Sequence, residues 1–544
     1  MASSAPIELI ERLSPLAIVA ALALSAFVLR GRDGSDRPLD PLRKRFVLGV
    51  PWGTVLSVLG VLAVYFLLQG GGQQGGPVVV GFRSWSFGYP LGMVTAAFAH
   101  ASDGHVTGNL LGTVVFAPVA EYAWSHYPTR RGSHSFGNWL TNPFVRILLF
   151  VVGVVLVGLA TSLFSPGALI GFSGVVFAFG GFAIVTRPIT SVYALVAERV
   201  VSLSYYAFQN PLVVARGRTQ FVTPGWADIA IQGHALGLLL GVLAGLWLVR
   251  SRDTWPGYRR VYFATLVFVV AKSLYAFYWY LSNTEYVLFR GIGTATMFLL
   301  AGVVALALAA RDRPLVPRID LSRREAAVGV LLCVVLALSL VAVPYNLVSI
   351  DAEPASDSGV EIRDYTVTYA EQVPNQYIAG VEIPGLRDSL TVNTSGVIVT
   401  SERRNAWEAV VPAGQLQSRG SIRVPVGGVG WRETVVVSRS GWSVVDGGST
   451  YKVFVDPPDR EATQVFEADP VRVPAVLNGS RVTLAPVDDG YQLAVSENNT
   501  TVATGKLPQL DEQTTLGGIT FERNATNLNA SVGGTELRIA KRQQ

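Results

Sequence analysis

The chain has one cysteine, Cys333, in 544 residues. That excludes an intrachain disulfide, a cysteine-based metal site and a redox pair. Histidine is nearly as scarce: the chain has five, His100, His105, His126, His134 and His234. Charged residues make up only 15%, against 50% hydrophobic, with mean hydropathy +0.40. A soluble protein of this length carries more charge, so the composition predicts an integral membrane protein. The charge is unevenly divided. Of 43 Lys/Arg and 38 Asp/Glu, 17 and 24 lie after residue 350, leaving 26 and 14 before it. The net charge of +5 is the sum of a basic half and an acidic half, and it is no sign of nucleic-acid binding.

Apolar runs near the length of a bilayer-spanning helix, about 20 residues, recur through residue 349. They fall at 14–30, 46–69, 104–124, 145–165, 172–187, 190–214, 230–250, 261–281, 286–309 and 326–348. The sixth carries Glu198 and Arg199, which at bilayer depth need a partner or a protein-facing position. The basic flank of the first run, Arg30 to Arg45, lies on its C-terminal side, the reverse of a signal peptide. The positive-inside rule then predicts the N-terminus outside and loops 30–45, 125–145, 250–260 and 310–325 inside. His126 and His134 are thereby expected in a solvated cytoplasmic loop. Loop 215–229, with Arg216 and Arg218, runs against the scheme.

Beyond residue 349 the pattern changes to period two. Gly359–Ala370, Ser389–Thr400, Glu433–Ser438 and Ser449–Val455 alternate apolar and polar residues between turns such as Val445-Asp446-Gly447-Gly448. This predicts short antiparallel strands in one large or two small β-sandwiches. The same stretch holds glycosylation sequons at Asn393, Asn478, Asn498, Asn499, Asn524 and Asn529, as suits an extracytoplasmic glycoprotein. It has no histidine and no cysteine. The expected organisation is 1–45, a helix and a basic cytoplasmic loop; 46–250, a helical core; 251–349, three more helices; and 350–544, a β-rich domain.

The remaining histidines gather with other polar residues. His100, His105 and His234 lie at ends of apolar runs assigned to the outer side. Ser173 heads its run from that side, and His105 and Asn109 share one helix face. A Ser and a His suffice for nucleophilic catalysis, the imidazole taking the hydroxyl proton and later giving it to the leaving amine. His105, Asn109 and the Ser173 N–H suit an oxyanion site. Gly171 and Gly174 permit close backbone approach. No acid stands near His234 except Asp228 in a loop, so the expected unit is a dyad. Gly233, Gly237, Gly241 and Gly245 form a stripe that lets helices touch, with Gly174, Gly180 and Gly181 on the serine run as candidate partners.

The set His100-x4-His105-x3-Asn109, Gly171-Phe172-Ser173-Gly174 and Gly233-His234 with Gly237 and Gly241 resembles the rhomboid family of intramembrane serine proteases. The resemblance implies a polytopic α-helical membrane protein with a rhomboid-like six-helix core over 46–250. To this the chain adds further helices and a C-terminal all-β extracytoplasmic domain. It further implies Ser173 as nucleophile, His234 as general base, and His105 and Asn109 as oxyanion donors. His100 would border a water-filled cavity, Phe177 would pack on the catalytic imidazole, and Glu121 would be structural. By the same analogy the sixth run and loop 215–229 form the gate. The family's Trp-Arg pair is missing from Phe82-Arg83-Ser84-Trp85-Ser86. The implied substrates are transmembrane proteins met within the bilayer, with no cofactor and no metal. A surface-layer or envelope partner would suit the β domain. A non-catalytic client-binding relative is the alternative. A transporter or receptor fits only the polar cluster, and no inverted repeat supports it.

Overall fold

A computed structural model describes residues 12–21, 23–24, 40–128, 131–213, 230–280, 286–309, 314–316, 319–347, 356, 358–376 and 392–543. Loop 215–229, with Asp228, and the segment 30–39 lie outside the described residues. The chain forms two compact units, 1–72 with 82–348, and 73–81 with 349–544.

The first unit is helical. Among the described residues it holds ten helices of ten residues or more: α1 Arg12–Ala21, α2 Trp52–Ala63, α3 Asp103–Trp124, α4 Pro143–Leu163, α5 Ser173–Thr186, α6 Pro188–Gln209, α7 Ile231–Arg252, α8 Tyr258–Ala271, α9 Arg290–Ala309 and α10 Arg323–Leu347. Among the described residues α4, α7, α9 and α10 are long and apolar enough to cross a membrane, which fits a multi-pass membrane protein. The apolar run 261–281 does not continue as one helix. Its helix ends at Ala271, and Tyr278–Tyr280 pairs as strand β1 with β2, Tyr286–Leu288. A one-dimensional hydropathy run cannot separate these, because aromatic residues suit both. A second small hairpin joins β3, Pro314–Val316, to β4, Ile319–Ser322.

Helix ends in this unit are satisfied by side chains from elsewhere. The first N–H groups of a helix have no intrahelical acceptor, and Pro51 before α2 supplies no side-chain cap. The carboxylate of Glu121, on α3 and fully buried, accepts from Gly53 N at 2.7 Å, Thr54 N at 2.8 Å and Thr54 Oγ1 at 2.8 Å. His126 is not solvated as the loop assignment predicted. It is buried, with Nε2 2.6 Å from Glu121 Oε1, while its Nδ1 accepts from Val47 N at 3.0 Å. A chain reversal beside a buried carboxylate holds it there; His134 is exposed. The last carbonyls of α3 receive Arg146 and Arg252, which both donate to Trp124 O at 2.6 Å. Cations belong at a helix C-terminus. Glu198 on α6 pairs with Lys272 just beyond α8 at 2.5 Å.

Helices α5 and α7 make the closest approach. A Cβ on Gly237 would lie 2.0 Å from Gly174 O, on Gly241 2.0 Å from Ala178 O, and on Gly181 2.2 Å from Leu238 O. Gly180 turns away and meets Phe268 of α8, so Gly181 is the glycine that faces α7.

The second unit is antiparallel β. One sheet runs β5 Val360–Ile362, β6 Tyr365–Pro374, β7 Asn393–Ser401 and β8 Ala406–Pro412 in sequence order. A second is built on β10, Trp431–Val444. This strand pairs with β9 (Ser421–Gly428) through Trp431–Ser438, with β20 (Thr535–Gln543) through Gly441–Val444, and with β11 (Ser449–Asp456) along its other edge. Strand β12, Thr463–Glu467, closes that edge, and β17 Glu512–Leu516, β18 Ile519–Arg523 and β19 Asn527–Val532 extend beyond β20. The third sheet is β13 Val471–Leu477, β14 Ser480–Val487, β15 Gly490–Glu497 and β16 Thr500–Lys506. Its inward residues Val482, Leu484 and Leu493 share a core with Trp442, Phe521 and Leu528. Within another buried cluster Tyr369 and Tyr451 share a 2.9 Å hydroxyl contact beside Glu371, and burial pushes Tyr369 up to about 12.

Residues 73–81, which sequence reading leaves in the helical core's first loop, belong to this β unit. Arg432 Nη2 donates to Gln74 O at 2.8 Å, and a Cβ on Gly427 would meet Val78. The chain therefore passes between its two units three times, at 72–73, 81–82 and 348–349.

Replacing Glu121 tests the buried cap. Glu121→Ala orphans two backbone donors, a hydroxyl and an imidazole nitrogen. At about 1–3 kcal/mol for each orphaned group the loss is several kcal/mol. We expect a large fall in the thermal unfolding midpoint of the detergent-purified protein, and a smaller one for Glu121→Gln. Wild-type stability in Glu121→Ala would show that the cap contributes nothing.

Candidate active site

Ser173 is the first residue of α5, preceded by a loop that begins at the end of α4. Gly171 in that loop has φ +124°, a conformation that side-chain-bearing residues rarely adopt. A Cβ there would also lie 2.6 Å from Cε1 and Nε2 of His105 and 3.5 Å from Asn109 Nδ2. Glycine is required twice, once by the backbone and once by the side chains pressed against it. The Gly171 N–H donates to Ala96 O at 2.8 Å, which fixes the turn. The N–H of Ser173, opening its helix, has no intrahelical acceptor.

His234 lies in the first turn of α7. Its Nε2 is 2.7 Å from Ser173 Oγ. Its Nδ1 is buried with no hydrogen-bond partner among the described residues. Among the described residues no carboxylate orients the ring. The Phe177 ring does, one turn after Ser173, stacked at 4.2 Å between centroids and 8° between planes. The glycine approach of α5 to α7 makes both contacts possible. Without it, two helices with ordinary side chains stand 8–10 Å apart.

His105 and Asn109 come from the first two turns of α3. Ser102 caps that helix, accepting from His105 N at 3.1 Å. Ala101 N donates to His105 Nδ1 at 3.5 Å, so a neutral ring carries its proton on Nε2, the atom beside Gly171. Asn109 is buried, and its Nδ2 has no partner among the described residues. A buried amide donor left unspent next to Ser173's turn is costly, and it is available to a ligand.

His100 packs edge-on against His105 at 5.1 Å. Its Nε2 accepts from Phe172 N at 3.4 Å, and its Nδ1 has no partner among the described residues. Gln69 holds it by the backbone, accepting from His100 N at 2.7 Å and donating to His100 O at 2.9 Å. Gly174 packs against Thr161 of α4 while its carbonyl meets Gly237. All eight residues picked from sequence, His100, His105, Asn109, Gly171, Ser173, Gly174, Phe177 and His234, thus lie in one cluster. Sequence reading missed Gln69, Ala96 and Ser102, whose roles run through backbone groups and leave no spacing signal. No group of three or more His, Cys, Asp or Glu side chains that could hold a metal ion occurs among the described residues.

The arrangement can do acyl-transfer chemistry. A hydroxyl faces a base, and two side-chain donors and a backbone N–H lie beyond it. Residues 88–251 match the family model described as Rhomboid domain, which spans α3 to α7 and every residue of this cluster. No curated protein and no solved structure matches the chain.

A nucleophile in this setting has a chemical signature. A fluorophosphonate should label wild-type protein on Ser173, with labelling lost in Ser173→Ala and strongly slowed in His234→Ala. Mass-spectrometric mapping checks it, and an adduct at any other residue would contradict the geometry.

Proposed function

We propose that this chain, which carries a Rhomboid domain, is an intramembrane serine endopeptidase. It hydrolyses a peptide bond in or beside a transmembrane segment of a protein substrate. The observation that carries the reading is the 2.7 Å contact of Ser173 Oγ with His234 Nε2, made beside His105 and the unspent Nδ2 donor of Asn109.

In the proposed reaction His234 takes the proton of Ser173 as Oγ attacks the scissile carbonyl. The developing oxyanion is met by His105 Nε2–H, Asn109 Nδ2–H and the Ser173 N–H. Collapse breaks the C–N bond, and the imidazolium gives its proton to the leaving amine. A water molecule, deprotonated by His234, then hydrolyses the acyl-enzyme and returns Ser173. Phe177 holds the imidazole plane in place of a carboxylate. His100, bonded to Phe172 N, supports the turn that presents Ser173. The substrate helix must unwind to offer its carbonyl, because helical carbonyls are already bonded.

We place the protein in the cell membrane as a multi-pass chain. The N-terminus and the β unit are assigned to the outside. The organisation is 1–45, 46–250, 251–349 and 350–544, less the piece 73–81 that folds with the β unit. The bilayer and transmembrane substrates are its partners, with a surface-layer or envelope contact reserved for the β unit. Its six sequons support reading it as a glycoprotein. The reaction needs no cofactor or metal.

Reconstituted wild type should cleave members of a fluorophore-tagged library of single-span transmembrane peptides, and Ser173→Ala should cleave none. Asn109→Ala should lower kcat by about 100- to 1,000-fold with little change in KM, the loss typical of one oxyanion donor. Equal cleavage by wild type and Ser173→Ala would end the reading. Binding of the peptides without cleavage would favour a client-binding relative instead.

A further inference from the structure

Helix α10 lies outside the matched segment 88–251. It is strongly apolar, with mean hydropathy 2.9 over 18 of its residues, yet it carries a fully buried asparagine near its end, Asn346. A polar side chain in such a helix is expensive unless bonded. Asn346 is bonded throughout. Its Oδ1 accepts from Gly167 N at 3.3 Å, and its Nδ2 donates to Leu163 O at 3.1 Å and Ser165 O at 3.0 Å. Its own carbonyl accepts from Phe87 N at 2.8 Å.

These partners form the start of the loop that ends at Ser173. Leu163 closes α4, where carbonyls lack intrahelical donors. Asn346 clamps residues 163–167 from one side. Ser84 clamps the next stretch from the other: Leu169 N donates to Ser84 Oγ at 3.0 Å, and Ser84 N donates to Leu169 O at 3.2 Å. The Gly171–Ala96 bond follows. The same helix reaches the other half of the dyad, because Gln232, two residues before His234, donates Nε2–H to Leu338 O at 2.7 Å. One helix therefore bonds to both chain segments that deliver the reacting pair.

We propose that Asn346 is a positioning residue of the active site: through Leu163, Ser165 and Gly167 it sets where Ser173 stands against His234, His105 and Asn109. This rests on the reading of Ser173 as nucleophile. The helix α10 is thus a working part of the catalytic unit.

The test measures fluorophosphonate inactivation kinetics on monodisperse, folded protein in detergent. Wild type, Ser173→Ala, Asn346→Ala and Asn346→Asp are compared, the last equal in shape but without the two donations. For both Asn346 variants we expect the maximal inactivation rate per folded molecule to fall by up to about 100-fold, as small misplacements do. The probe concentration for half-maximal rate should change little. A residue that only stabilised the fold would lower the yield or the unfolding midpoint and leave the per-molecule rate at wild type. That result overturns the proposal. Should Asn346→Ala fail to fold, Asn346→Asp decides by the same criterion. Absence of labelling in wild type, or labelling that persists in Ser173→Ala, would instead sink the nucleophile itself.

Discussion

Everything at this site depends on how closely α5 and α7 approach. Ser173 and His234 are separated by 61 residues and sit at the starts of two helices. Their side chains are short, so the backbones must nearly touch for Oγ and Nε2 to meet. Gly237 and Gly241 accept the carbonyls of Gly174 and Ala178 where any side chain would collide, and Gly181 does the same for Leu238. In a bilayer no hydrophobic force drives helices together, because lipid is as apolar as leucine. Close packing of small residues supplies the attraction. The same contact puts Phe177 flat on the imidazole, where among the described residues no acid orients the ring.

A second constraint shapes the periphery. Helix ends carry unpaired backbone groups, and where they are buried no water can satisfy them. This chain uses side chains from other helices. Glu121 of α3 caps the start of α2. Arg146 and Arg252 cap the end of α3. Asn346 of α10 caps the end of α4. Each such bond closes a long loop of chain and fixes two helices at once, so these polar residues carry architectural information that the apolar surfaces cannot.

Much of this was legible in the sequence, and the reasons differ by residue. Apolar runs marked where helices form, and four of those helices, α4, α7, α9 and α10, have the length and apolarity that bilayer thickness demands. Where a run held aromatic residues that suit strands as well, as at Tyr278–Tyr280, the reading failed. Ser173, His234, His105 and Asn109 stood out because polar groups are rare in apolar runs. His126 was misread because a position in a loop says nothing about a carboxylate folded against it. Asn346 was passed over because one asparagine at a helix end has no periodic signal, and its partners are 179 to 183 residues away. Residues 73–81 gave no hint that they belong with strands far downstream, since their partners bond to backbone and fill space.

The site stands on the glycine seam between α5 and α7, and one variant addresses it directly. In Gly237→Ala the added methyl would lie 2.0 Å from Gly174 O, so α5 and α7 must move apart by about an ångström, while every polar residue of the site is kept in the sequence. The rate of Ser173 labelling by a fluorophosphonate on folded protein should fall by at least about 10-fold, as expected when a near-attack geometry is displaced by about an ångström. Labelling at the wild-type rate would contradict it, and would mean that the dyad is assembled by something other than the approach of these two helices.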